Sequence, residues 1–161
     1  MPKHKELLQE FEVAVRSEAS ATALMEMICR RIHEELSRYN WVGFYLIDPN
    51  DSNILVLGPH TGSFSPHARI PLDRGLCGAA ASTRKTVVVD DVSKDPRYLA
   101  GSDLVKSEIV VPIFAGPRLL GEFDVESYFT GTFRGADQTF VEECAALVGK
   151  YLEKPRFGNL H

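Results

Sequence analysis

EIVVPIFAGPRLLGEFDVES, residues 108–127, holds two runs rich in β-branched and aromatic residues, EIVVPIF and LLGEFDVES, parted only by AGPR. Such runs favour strands, and a four-residue break with Gly beside Pro is turn chemistry that leaves no room for a helical crossover. The two strands are therefore expected to be antiparallel neighbours. Upstream, WVGFYLI at 41–47 and NILVLG at 53–58 flank the polar break DPNDSN and read as a second hairpin. Two shorter runs, ARIPL at 68–72 and TVVVD at 86–90, bring the candidate strands to six.

Outside this block the apolar spacing changes to that of helices. Leu7, Leu8, Phe11, Ala14 and Val15 mark one helix from about Glu6, and Leu24, Met25, Ile28, Cys29, Ile32 and Leu36 mark a second, with Ser20 as its N-cap. Phe140, Val141, Cys144, Leu147, Val148, Tyr151 and Leu152 mark a third over about 137–152. Between the third and fourth strands, GLCGAAASTRK suits a short helix crossing the sheet. DVSKDPRYLAGSDLVKS, residues 91–107, is the longest irregular segment and the first place to expect a ligand lid. The expected architecture is α+β: a central antiparallel sheet of about six strands, long N- and C-terminal helices on one face, and a ligand pocket under loops and the short helix on the other. One domain is expected over 1–161, with its core at about 20–152 and a fraying tail, EKPRFGNLH.

The 18 basic and 22 acidic residues are dispersed and leave a net charge of −4, which argues against a nucleic-acid partner. No window is long and apolar enough for a membrane span, and MPKHKELLQE lacks the apolar region of a secretory signal, so a cytoplasmic protein is expected. Cys29, Cys77 and Cys144 are widely spaced, without a CxxC pair, which suggests free thiols rather than a disulfide framework. The five histidines show no ligand spacing, so no metal site is expected, and no cofactor motif such as GxGxxG or a P-loop occurs.

Three groups of residues carry possible chemistry. Cys77 sits where the short helix begins, next to orphan N–H groups and three residues after Arg74, a setting that favours a thiolate; burial in a tight turn is the competing reading. Asp124 and Glu126 share a face of the last strand and, across the hairpin, can meet Glu108, forming either a solvated face or the floor of a polar pocket that grips an ammonium group. Trp41 and Tyr45 share a face of the first strand around Gly43, as an aromatic wall or as ordinary core.

Together NWVGFYL, LVLGPHTG, ARIP, RGLCGAAAS, KSEIVVPI and GEFDVES resemble the GAF domain family, and within it the free methionine-(R)-sulfoxide reductases, over about residues 20–152. The resemblance implies a homodimer and a closed small-molecule pocket in which Trp41 and Tyr45 face Glu108, Asp124 and Glu126, the last being Glu where the family usually has Asp. It also implies that the catalytic cysteine of those reductases, in a stretch similar to YLAGSDLVKSEIV, is replaced by Gly101, and that a second family cysteine is replaced by His67. Gly101, Ser102 and Asp103 then count among the ligand-contacting positions, and Cys77 matches an auxiliary family thiol. The expected function is a stand-alone GAF module that binds a small polar or amino-acid-like ligand in a regulatory role. The alternative is a reductase working through Cys77 with an external thiol such as thioredoxin.

Overall fold

The computed structural model describes residues 2–62, 66–99 and 102–153. Helices α1 (Pro2–Ser17) and α2 (Ala21–Glu35) lead into β1 (Trp41–Asp48), β2 (Asp51–Gly62) and β3 (Arg69–Pro71). Helix α3 (Gly75–Thr83) precedes β4 (Val87–Val89), a short 3₁₀ turn at Val92–Lys94, β5 (Ser107–Ala115), β6 (Arg118–Ser127) and the long α4 (Gly135–Glu153). The sheet order is β3-β2-β1-β6-β5-β4, with every neighbouring pair antiparallel. The fold is thus the α+β antiparallel architecture expected from residues 108–127. None of the described helices is long and apolar enough to cross a membrane.

Two elements start or end beyond the sequence pattern, each for a tertiary reason. Helix α1 begins well before Glu6 because its first turn is anchored: the buried His4 ring stacks on Phe140 at 4.4 Å, and Lys3 pairs with Glu35 at 2.9 Å. Strand β2 runs past Gly58 through the polar residues 59–62 because β1 supplies partners, pairing His60, Thr61 and Gly62 with Gly43, Val42 and Trp41. Ser20 caps α2, its hydroxyl accepting from the Ala23 N–H at 3.1 Å. The tail from 154 onward and Gly101 lie outside the described residues.

The pleat sorts side chains between two cores. On one face Val42, Phe44, Ile109, Val111, Ile113, Phe123 and Val125 pack under α1, α2 and α4, with the Phe44 and Phe123 rings stacked 4.2 Å apart. Cys29 and Cys144 are fully buried in this core. On the other face Trp41, Tyr45, Leu55, Ile70 and Val110 meet α3 through Leu76, Cys77 and Ala80.

Candidate ligand pocket

Because side chains alternate along a strand, the residues of β6 that interleave with Phe123 and Val125 all point to the α3 side: Glu122, Asp124 and Glu126. Register then sets their neighbours. Glu108 of β5 lies opposite Glu126 and Val110 opposite Asp124, while β1 places Trp41, Gly43 and Tyr45 opposite Glu126, Asp124 and Glu122. Glu108, Asp124 and Glu126 are 5%, 3% and 7% exposed. One carboxylate oxygen from each lies within 4.8 Å of the other two.

Like charges directly opposite in a sheet repel, and burial penalises ionisation further, so such a cluster holds on to protons. Burial, then the neighbouring acids, raises the Glu108 and Glu126 carboxyls well above the usual carboxylate range. Burial also lifts Asp124, to about 6, against the hydrogen bonds that Glu108 and Glu126 donate to it. Asp124 is therefore the first of the three to ionise. Its Oδ1 is buried and accepts no hydrogen bond from the described residues.

The three acids form one wall of a small, half-open cavity. The facing wall is the first turn of α3, with Arg74, Gly75, Leu76 and Cys77 all bordering the space. Arg74 occupies the N-cap position without a side-chain cap bond, and no acidic residue lies in the first turn, so the N–H groups of Gly75, Leu76 and Cys77 have no carboxylate of the helix itself to serve them. Gly75 adopts φ 68, a left-handed conformation natural to glycine, and a Cβ there would meet the Leu99 side chain at 3.2 Å. Tyr45, Pro66, His67, Ile70 and Leu99 complete the lining, and the Tyr45 hydroxyl is fixed by donating to the His67 carbonyl at 2.9 Å.

Trp41 does not border the cavity. Its indole lies flat on the sheet across Gly43 and Gly62, where a Cβ would come within 2.4 Å of ring atoms, and it is sandwiched between Tyr45 and the ring of His60. It packs against Tyr45, which does border the cavity. Ser102 is half-buried and takes the Leu104 N–H on its own hydroxyl, and Asp103 is exposed; neither borders the cavity. Gly101 lies outside the described residues.

The setting of Cys77 differs from the helix-terminus picture drawn from sequence. The thiol is buried, and burial followed by Asp124, Glu122 and Glu108 pushes its pKa up, which outweighs the helix terminus and the exposed Arg74. Glu122 is the residue that sequence reading passed over. It is fully buried beside Cys77, and its two carboxyl oxygens find no other hydrogen-bond partner among the described residues. The signal for it is the two-residue spacing E-x-D-x-E over 122–126.

A family model for the GAF domain matches residues 18–153, nearly the whole chain. The chain belongs to the GAF domain family. This GAF domain is 39% identical over 112 residues to a free methionine-R-sulfoxide reductase of Saccharomyces cerevisiae, a match covering 69% of the chain and 62% of the yeast protein. It is 30% identical over 149 residues to the reductase of Escherichia coli, covering 92% and 88% of the two chains. The structure of the Neisseria meningitidis free methionine-R-sulfoxide reductase in complex with its substrate superposes with a TM-score of 0.87 at 37% identity, over 93% of this GAF domain and 88% of that chain. The domain is a divergent relative of that reductase branch.

Proposed function

We propose that this GAF domain binds a small zwitterion of the α-amino-acid class, and that binding rather than turnover is its function. The observation that carries the reading is the polarity of the cavity, with three buried carboxylates on one wall and an uncapped helix N-terminus with Arg74 on the other. A primary ammonium has three N–H donors, and acceptors at hydrogen-bonding distance around a tetrahedral nitrogen stand about 4.6 Å apart, which suits the spacing of Glu108, Asp124 and Glu126. The ligand carboxylate is served by Arg74 and the α3 N–H groups. Its side chain rests on Tyr45, Ile70, Leu76 and Leu99. The resemblance of the sequence implies Gly101 at the position where the related reductases carry their catalytic cysteine, and a retained pocket without that thiol supports a regulatory role.

Thermal-shift and calorimetric titration with L-methionine and methionine-(R)-sulfoxide, beside the des-amino and ester analogues, tests the assignment. The zwitterions raise the melting temperature and the analogues do not; equal shifts from the des-amino compounds would exclude the acid cluster as the ammonium site.

A reductase working through Cys77 is the second reading, favoured by the one thiol that borders the cavity. Its acidic, buried surroundings keep that thiol protonated in the empty cavity, and among the described residues no second cysteine borders the cavity to resolve a sulfenic acid. A thioredoxin-coupled assay decides between them: a rate above background that disappears in Cys77→Ser would replace the binding reading.

A further inference from the structure

Glu122 and Cys77 have no part in gripping a zwitterion, yet they adjoin the site that does. Cys77 borders the same cavity as the acid cluster, whereas the other two thiols, Cys29 and Cys144, are sealed in the helix-side core. Behind Cys77 lies a fully buried carboxyl whose oxygens have no partner but that thiol. Asp124, whose buried Oδ1 accepts no hydrogen bond from the described residues, borders the same cavity. One cavity thus joins a cation-seeking wall and a thiol that is backed by a buried carboxyl.

We propose that Cys77 is a covalent capture site for small disulfides that carry an amino group, which it takes up by thiol–disulfide exchange. The inference rests on the acid cluster accepting an ammonium. With the ammonium on Glu108, Asp124 and Glu126, the disulfide of a short aminothiol falls within the same small cavity as Cys77. Sγ attacks the nearer ligand sulfur as the thiol proton passes toward the departing sulfur, while the Glu122 carboxyl, which burial keeps protonated, holds the thiol in place. The bond between the two ligand sulfurs breaks, a new bond joins Sγ to one half, and the other half leaves and takes up the proton as a free thiol. Cys77 is oxidised and the departing half reduced, with no other reagent.

The acids that keep Cys77 inert in the empty cavity also make it selective. A cation on the cluster neutralises the field of Asp124 and Glu108 at the sulfur, so an amino-bearing disulfide activates the thiol that it meets while a neutral one does not. Glu122 acts through the thiol as a positioning residue.

The test uses cystamine and the neutral bis(2-hydroxyethyl) disulfide with the full chain, read by intact-protein mass spectrometry and peptide mapping, with rates divided by those for a free cysteine derivative. The folded protein should take one cysteamine half, at Cys77, at least tenfold faster than the hydroxyethyl half, and release it on reduction. Asp124→Asn should lose most of that preference. Glu122→Gln should slow capture but keep the preference. An adduct at Cys29 or Cys144, no adduct at all, or a preference unchanged in Asp124→Asn would overturn the proposal. Calorimetry with the Cys77→Ser variant separates the two readings: zwitterion binding there with no capture in the parent removes only the capture site, and no binding in either protein removes the ammonium site as well.

Discussion

Phe123 and Asp124 are adjacent in β6 and both are buried, yet they enter opposite worlds. Phe123 stacks on Phe44 in a core built of apolar side chains from three helices and the sheet. Asp124 enters a face where carboxylates confront one another and one of its oxygens goes unserved. Ordinary folding energetics account for the first face. The second is costly in an empty protein and fits the proposed ligand, which brings positive charge. On the proposed function, stability and binding fall to alternate residues of a single strand.

If that division holds, neighbouring substitutions must have opposite effects. Phe123→Ala should destabilise the fold by about 3–5 kcal/mol in chemical denaturation, because it deletes a fully buried ring and leaves a cavity. Asp124→Asn should leave denaturant stability unchanged or raised, while weakening amino-acid affinity by about 2–5 kcal/mol, since a buried charge partner of the ammonium is lost. A Phe123 variant that keeps full stability, or an Asp124 variant that unfolds, would erase the contrast between the faces.

The sheet was legible in the sequence because strand period and turn chemistry are local: the hairpin at 108–127 follows from AGPR and its flanking runs, and the shared face of Asp124 and Glu126 follows from their spacing. The pocket was legible only in part because cavities are made by residues distant in sequence. Nothing local to Trp41 says that its indole lies over Gly43 and Gly62, against Tyr45. Nothing local to RGLCG says that Glu108, Glu122 and Asp124 surround Cys77 and reverse the effect of the helix terminus on its thiol. Glu122 needs the register with Tyr45 and Pro112 before its burial is evident.

The acid face should also set the pH response of the empty protein. Asp124 rises to about 6 on folding, from about 3.9 in an unfolded chain, so its contribution is fully present below the unfolded value and is lost as pH climbs through the folded one. The stability of the parent minus that of Asp124→Asn should accordingly fall between about pH 4 and pH 7 in melting experiments. A rising difference would mean that the cluster is stabilised by ionisation even without ligand. A smaller effect belongs to the opposite wall: Gly75→Ala imposes a left-handed φ on alanine beside Leu99 and should cost about 1 kcal/mol, with some loss of carboxylate binding as the α3 turn shifts.

Binding of an ammonium to protonated acids must expel protons, which calorimetry reads as a heat that depends on the buffer. Titration of L-methionine at pH 6 in two buffers of different ionisation enthalpy should give different apparent heats, corresponding to net proton release, and the difference should shrink or vanish in Asp124→Asn. Equal heats in both buffers for the parent protein, or the same buffer dependence in the variant, would contradict the assignment of Glu108, Asp124 and Glu126 as the ammonium site.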